Sequence, residues 1–190
     1  MFKKIFLALA IIFVVLAVVI AMQPKDFTIS RSIVVNAPAE AAFSVVNDLH
    51  RWDDWSPWSK RDPQMSKEFS GSPAGVGATY AWKGNKEVGE GHQTITLSKP
   101  NELVEIALHF DKPFQGDNVV DFSFAPEGQG TKVTWTMHGP SNFISKFFVM
   151  TGMMDKMMGK DFDEGLAGLK ALAEKPAPVA APAAAAKKKK

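Results

Sequence analysis

The four histidines are the residues of this chain best suited to acid–base or metal chemistry near neutral pH. They are widely separated and no His-Glu-x-x-His pattern occurs, so their spacing indicates no metal site. His92, His109 and His138 alternate with apolar residues, which predicts that they lie on the outer face of a sheet. An outward imidazole cannot reach a proton on a molecule held inside the fold. The sequence therefore predicts no catalytic residue, no metal site and no cofactor.

Other patterns that carry chemistry are incomplete or missing. The glycine-rich segment 71–77 lacks the Gly-Lys-Ser/Thr of a phosphate-binding loop, and no Gly-x-Ser-x-Gly nucleophile motif is present. Asp53 and Asp54 are adjacent, so their carboxylates point in different directions and do not form a catalytic pair. The lack of cysteine excludes disulfides, zinc ribbons and thiol nucleophiles.

Methionine and aromatic residues are more informative than the titratable ones. Five of the nine methionines fall between Met150 and Met158, and methionine suits a wall that adapts to varied apolar shapes. Simple core filling on an amphipathic helix is the alternative interpretation. Gln93 is the clearly polar residue on an inward strand position, where it needs a hydrogen-bond partner. The residues predicted to line a ligand cavity are Tyr80, Trp82, Gln93, Ile95, Ile106, Leu108, Phe110, Phe122, Trp135, Met137, Phe147, Met150, Met154, Met158 and Phe162.

Three tryptophans follow one another at a spacing of three residues. Trp52, Trp55 and Trp58 lie in a segment that Pro57 interrupts, so one regular helix cannot bury all three. They are predicted to pack against the core or to form the rim of the cavity. An exposed apolar patch that binds another protein is a further interpretation.

Hydrophobic periodicity predicts the elements that position these residues. Residues 27–35 alternate as a strand, a short helix is predicted for residues 39–47, and a second short helix or a turn is predicted for residues 49–55. Five or six further strands follow with apolar and polar residues alternating, and Gln93, Ile95 and Leu97 are predicted to share one face. Such alternation is typical of an antiparallel sheet with one face in water.

The last part of the domain has the period of a helix. From Phe143 to Leu172 apolar residues recur every three or four positions, which predicts a long amphipathic helix. Glycines weaken helices, so a bend or break is expected at Gly152, Gly159 or Gly165. This helix is the only predicted element long enough to cover the apolar face of the sheet, and the predicted fold class is therefore α+β.

Both ends of the chain lie outside the predicted domain, which spans residues 26–174. Residues 5–22 are eighteen uncharged, apolar residues, which at ~1.5 Å per residue are long enough to cross a bilayer as a helix. We predict a retained membrane anchor in residues 1–25, with a cleaved signal peptide as the alternative. Residues 175–190, rich in alanine, proline and lysine, predict a disordered tail.

Charge distribution bears on location and partners. Lys3 and Lys4 precede the apolar segment, which favours a single-pass protein with the domain on the extracytoplasmic, periplasmic side. Between Asp26 and Glu174 the chain has 14 basic and 20 acidic residues, a net charge of −6. Phosphate neutralisation needs a basic face, so nucleic acid is excluded as an expected partner.

Four short segments and the closing helix have a recognisable pattern. The segments are residues 34–40 (VVNAPAE), 52–58 (WDDWSPW), 75–77 (GVG) and 130–135 (GTKVTW). Together they resemble the polyketide cyclase/dehydrase-like branch of the START/SRPBCC superfamily, over essentially residues 27–174. The resemblance implies the helix-grip fold, in which a curved antiparallel sheet of about six or seven strands wraps around a long C-terminal helix. It also implies an apolar cavity between the sheet and that helix.

Three functions remain open at this point. The leading hypothesis is a membrane-tethered domain that binds a small hydrophobic molecule, either a lipid or another apolar metabolite, in the cavity. A cyclase or dehydratase is the enzymatic alternative, and it needs a general acid or base where the inward positions offer Tyr80 and Gln93. The third is an envelope protein-interaction module that uses the tryptophans. The sequence favours no particular oligomeric state.

Overall fold

The computed structural model describes residues 2–175, so the predicted tail lies almost entirely outside the described residues. The helices are α1 (Phe2–Ala21), α2 (Ala39–Val46), α3 (Pro57–Arg61), α4 (Phe143–Met150) and α5 (Met153–Ala173), with a 3-10 helix at Leu49–Asp54. The strands are β1 (Asp26–Val35), β2 (Ser66–Gly71), β3 (Ala78–Lys83), β4 (Glu90–Lys99), β5 (Leu103–Lys112), β6 (Gly116–Glu127) and β7 (Gly130–Pro140).

All seven strands form one antiparallel sheet with the order β1-β7-β6-β5-β4-β3-β2. The first strand pairs with the last, and the remaining strands follow one another as hairpins. Buried and accessible side chains alternate along β6 and β7, so one face of the sheet packs on the core and the other faces water. The predicted α+β class, with its antiparallel sheet and C-terminal helix, is confirmed.

Helix α5 covers the buried face of the sheet, as predicted for the closing helix. Phe162, Leu166 and Leu169 recur at spacings of four and three and are each no more than 1% exposed. The helix approaches β7 closely at Gly165, where a Cβ atom would lie 2.7 Å from Cζ3 of Trp135. The close packing of α5 on the sheet therefore requires a glycine at position 165.

The predicted C-terminal helix is divided at Gly152, one of the three glycines at which a break is expected. Gly152 has φ 69°, a left-handed conformation that other residues rarely adopt. Helix α4 ends before it and α5 begins after it. As a result α4 packs mainly on α5 and α1.

The pairing of β4 with β5 shows that one residue lies on the opposite face of the sheet from the predicted one. Ile95 pairs with Ile106 but Leu97 pairs with Glu105, so Thr96 is an extra residue on β4. One inserted residue reverses the side on which the following residues lie. The prediction that Leu97 shares the inward face of Gln93 and Ile95 is therefore wrong.

Helix α1 is, within residues 2–175, the one helix long and apolar enough to cross a membrane. Such a helix is either a membrane span or a signal sequence. Its side chains are largely exposed, except that Ile20 is buried. The end of α1 is fixed to the domain, because α1 contacts α4 and Nζ of Lys146 donates a hydrogen bond of 3.1 Å to the carbonyl oxygen of Ala21.

Candidate functional site

A cavity lies between the inner face of the sheet, α5 and the tryptophan-rich segment that contains α3. The cavity volume open to a water molecule is about 80 Å³. Most of the predicted cavity residues lie on it, together with two of the three tryptophans. These are Tyr80, Trp82, Gln93, Leu108, Phe110, Trp135, Met137, Met158, Phe162, Trp52 and Trp58.

Three predicted cavity residues belong instead to the closed core. Ile95, Ile106 and Phe122 have no exposed surface and do not line the cavity. The tryptophan segment fills the space above Phe122, because the rings of Trp52 and Trp55 lie 5.9 and 6.0 Å from it in edge-on contacts. Trp55 is itself fully buried, so this tryptophan is a core residue and not part of a rim or an exposed patch.

The predicted methionine wall is also smaller in the structure. The break at Gly152 carries Phe147 and Met150 away on α4, and Phe147 is 37% exposed. Met154 is partly buried against the core without lining the cavity. Met158 alone among the clustered methionines faces the cavity, where it shares the lining with Trp135.

Five lining residues are not among the predicted ones: Ser56, Ser59, Met65, Val88 and Val120. Val120 has the inward strand position shared by Phe122, so alternation along β6 contains the signal for it. Met65 and Val88 lie in loops, where no periodicity marks a buried residue. Ser56 caps α3 and Ser59 lies in its first turn, and both reach the cavity because the tryptophan segment folds over it.

Aromatic stacking makes one wall of the cavity stiff. The ring of Trp135 is stacked on Phe162 with centroids 4.2 Å apart and planes 5° apart. Trp55 and Trp58 meet the same indole edge-on at 5.6 and 5.8 Å. Such pairs add about 0.5–1.5 kcal/mol each beyond simple burial, so this side of the cavity is held in a defined shape.

Polar groups on the cavity are few and poorly partnered. Gln93 is 5% exposed, and its Nε2 atom has no hydrogen-bond partner; Nε1 of Trp135 has none either. The Tyr80 hydroxyl donates only to the sulfur of Met65, at 3.9 Å, and thioether sulfur is a weak acceptor. Burial raises the pKa of Tyr80, which keeps its hydroxyl protonated as a donor.

Residues 26–174 match the family model described as "Polyketide cyclase / dehydrase and lipid transport". The chain belongs to this family. The match supports the resemblance to the SRPBCC superfamily and the expected binding of a hydrophobic ligand. No curated protein matches the sequence significantly.

Several solved structures share the fold of this member of the polyketide cyclase/dehydrase and lipid transport family. Their sequence identity to it is low. Protein SA2116 from Staphylococcus aureus, of unknown function, has a TM-score of 0.61 and 10% identity, covering 81% of this chain and 96% of that chain. Protein CV1439 from Chromobacterium violaceum has a TM-score of 0.58 and 18% identity, covering 78% of this chain and 98% of that chain. Protein MLL2253 from Mesorhizobium loti has a TM-score of 0.56 and 15% identity, covering 80% of this chain and 100% of that chain. At these identities the likeness shows the fold alone.

Ion pairs hold the tryptophan segment of this family member over the cavity. Arg61 on α3 makes a two-pronged contact with Asp161 on α5, with donor–acceptor distances of 2.5 and 3.1 Å. The hydroxyl of Ser59 donates to Asp53 at 2.8 Å, and Lys67 on β2 donates to the same carboxylate oxygen at 2.5 Å. Polar contacts therefore join α3 to α5, and the tryptophan segment to β2, outside a mainly apolar interior.

Three of the four histidines lie on the opposite face of the sheet from the cavity, whereas His50 lies in the 3-10 helix and stacks on Phe69. His92 and His109 are paired across β4 and β5, with ring centroids 5.0 Å apart. Nδ1 of His109 lies 2.6 Å from Asp117, and this hydrogen bond raises the pKa of His109. His138 lies 3.6 Å from Asp121 on the same outer face. Within residues 2–175, no group of histidine and acidic side chains has the geometry of a metal site.

Proposed function

We propose that the protein is a membrane-tethered binding domain for a small, neutral, hydrophobic molecule that carries a hydrogen-bond acceptor. The observation that supports it most directly is the pair of unpartnered donors, Nε2 of Gln93 and Nε1 of Trp135, on residues that line a predominantly apolar cavity. A buried donor without a partner costs about 1–3 kcal/mol. A carbonyl or hydroxyl oxygen on the ligand would recover that cost, and the rest of the ligand would bury apolar surface.

The charge of the ligand follows from the lining. No acidic or basic side chain lines the cavity in the part of the chain that the structure describes. An ionised group transferred into such a space loses its hydration without gaining a counter-charge. We therefore expect an ester, ketone, amide or alcohol in preference to a free fatty acid or an amine.

The size of the ligand depends on how far the cavity opens. A water molecule needs roughly 10–15 Å³ of the volume open to its centre, so the present 80 Å³ holds a handful of waters. A lipid-sized ligand would require Met158 and Trp58, which are both only partly buried, to move apart. Met158 has flexible torsions, which suits this role.

Tethering is the second part of the proposal. In this proposal helix α1 is retained as an anchor, and the two lysines before it favour the extracytoplasmic side for the domain. Cell fractionation with determination of the N-terminal residue tests this step. A soluble protein with a new N-terminus near Met22 would contradict the anchor and support a cleaved signal peptide.

The binding proposal is tested by titrating the detergent-solubilised full chain with a fluorescent neutral acylglycerol and with the matching fluorescent fatty acid. We expect the neutral lipid to bind more tightly. Gln93→Leu should weaken binding of the neutral lipid about tenfold, or ~1.4 kcal/mol, without lowering stability. The control is Gln129→Leu, the same change in the exposed turn between β6 and β7, which should leave binding unchanged.

Two results would contradict the binding proposal. One is equal affinity for the fatty acid and the neutral lipid, and the other is unchanged affinity in Gln93→Leu. Native mass spectrometry of the purified chain provides an independent measurement, in which a retained neutral lipid is the expected observation.

The other two functions have less support in the structure. A cyclase or dehydratase needs a group that exchanges protons near neutral pH, and the candidate at the cavity is Tyr80, whose pKa burial raises further from neutrality. A tryptophan-based interaction surface needs exposed indoles, whereas Trp52 and Trp55 are buried and Trp58 is half-buried.

A further inference from the structure

Large apolar side chains that remain exposed outside α1 and its linker are concentrated at one end of the domain. The register shows which end this is, because Asp26 at the start of β1 pairs with Pro140, and Phe110 pairs with Gly116 across the turn from β5 to β6. That end therefore contains the junction with α1, the β5–β6 loop and the beginning of α4. The exposed apolar residues found there are Phe114, Phe143, Ile144, Phe147, Met153 and Met157, and we call them the apolar end face.

The opposite end is different. It contains the turn between β2 and β3, since Gly71 pairs with Ala78, and the turn between β6 and β7, since Glu127 pairs with Gly130. One large apolar residue, Val76, is exposed there. The ten residues of β1 separate the two ends, a distance of roughly 30 Å at ~3.3 Å per residue.

Helix α1 leaves the domain at the apolar end face through a short and fixed connection. Four residues separate Ala21 from Asp26. The amide of Ser141 donates to the carbonyl oxygen of Lys25 at 2.7 Å, and Lys146 on α4 donates to Ala21. If α1 crosses a bilayer, this connection leaves no room to hold α4 away from the membrane surface.

We propose that the apolar end face lies in the headgroup region of the same bilayer that α1 spans. This inference rests on the proposed membrane tether. Amphipathic helices at such interfaces bury their apolar side about 5–10 Å into the boundary between headgroups and acyl chains. Phe143, Ile144 and Phe147 on α4 supply that apolar side, and Phe114 on the neighbouring loop inserts beside it.

The same placement gives the cavity a route to its ligand. Trp82, Val88 and Phe110 lie near the turns of this end, and Met158 directly follows Met157 of the apolar end face. These four residues line the cavity at its membrane-proximal side. The proposed docking would therefore give a hydrophobic molecule a short route from the bilayer to the cavity.

The contact is expected to depend on apolar insertion more than on charge. Lys83 and Lys112 at this end share a single acidic partner, Glu90, and Asp111 and Asp117 carry negative charge at the same end. Binding through apolar insertion should therefore occur on uncharged phosphatidylcholine and persist at high salt, unlike binding through lysines to anionic lipid.

The full chain contains no cysteine, so single-cysteine variants can be labelled uniquely. Phe147→Cys and Phe114→Cys probe two elements of the apolar end face, and Val76→Cys is the matched apolar control at the other end. Each variant is labelled with an environment-sensitive NBD fluorophore and reconstituted into phosphatidylcholine vesicles that contain nitroxide-labelled lipid. We expect blue-shifted emission and strong quenching at 147 and 114, at low and high salt, and neither effect at 76.

Vesicle flotation separates failure of the tether from failure of the docking face. If the chain does not float with the vesicles, both are rejected. If it floats but the labels at 147 and 114 respond like the label at 76, the tether stands and the docking face is rejected. A label at 147 that is shielded from water without being quenched by lipid nitroxide would also reject it, because a second copy or another protein would then cover α4.

Discussion

On β4, Gln93 points toward the core with an Nε2 atom that has no partner, whereas the adjacent His92 lies on the outer face beside His109. The outer face carries its polar groups in pairs such as His109–Asp117, which water also solvates. The inner face keeps polar donors among aromatic rings without satisfying them. An apolar residue at position 93 would avoid this cost, so the unsatisfied donor is consistent with the proposed binding of a ligand at the inner face.

The largest contrast between the two faces is expected in stability. Phe162→Ala removes the ring stacked on Trp135 and should lower the free energy of unfolding by about 3–5 kcal/mol. Thr134→Ala, on the outer side of β7, should change it by no more than about 0.5 kcal/mol. Denaturant unfolding in mild detergent, followed by near-ultraviolet circular dichroism of the tryptophans, measures both. Similar losses for the two variants would show that the faces do not differ in packing.

A cavity residue should be less costly to truncate than a core residue on the same helix. Met158→Ala is expected to lower the free energy of unfolding by less than the ~2–5 kcal/mol typical of a tightly packed methionine, because one side of Met158 borders open space. The variant should also bind a bulkier neutral lipid than the wild type does. A loss at the upper end of that range, without any change in ligand size, would indicate a filled and rigid site.

The sequence predicts these faces well where alternation is unbroken. Gln93, Trp135 and Met137 lie inward as their strand positions indicate. The prediction of which face a residue occupies fails where that face depends on pairing with another strand. The extra residue at Thr96 depends on pairing with β5, and nothing in the local pattern of β4 indicates it.

Loops and breaks limit the prediction of the cavity in the same way. Met65 and Val88 reach the cavity from loops. In loops, no periodicity of the sequence indicates which residues are buried. The helical period runs through Gly152 without interruption, so periodicity assigns Phe147 and Met150 to the same covered face as Phe162. The glycine correctly indicates a break, but the direction of α4, which precedes the break, depends on its packing against α1.

Ligand binding should not depend on the histidines of the outer face. Replacing His92, His109 and His138 together with glutamine removes three imidazoles that lie across the sheet from the cavity. Titration with the neutral fluorescent lipid should give the same affinity as the wild type. A tenfold or larger loss, ~1.4 kcal/mol, would place one of these histidines at the site and favour an enzymatic function.

The smallest expected effect is a pH dependence confined to the outer face. The hydrogen bond that His109 donates to Asp117 raises the pKa of His109, with Asp111 adding in the same direction, and the ring of His92 lies nearby in a tilted contact. A group whose pKa is raised on folding stabilises the fold below its unfolded pKa of about 6.5, and that contribution is lost as pH rises through the folded pKa. The thermal midpoint of the wild type should therefore exceed that of His109→Gln at about pH 5, and the two should converge at about pH 8. Asp117→Asn should reduce the same difference, whereas a difference that grows with pH would mean that His109 is held in its neutral form.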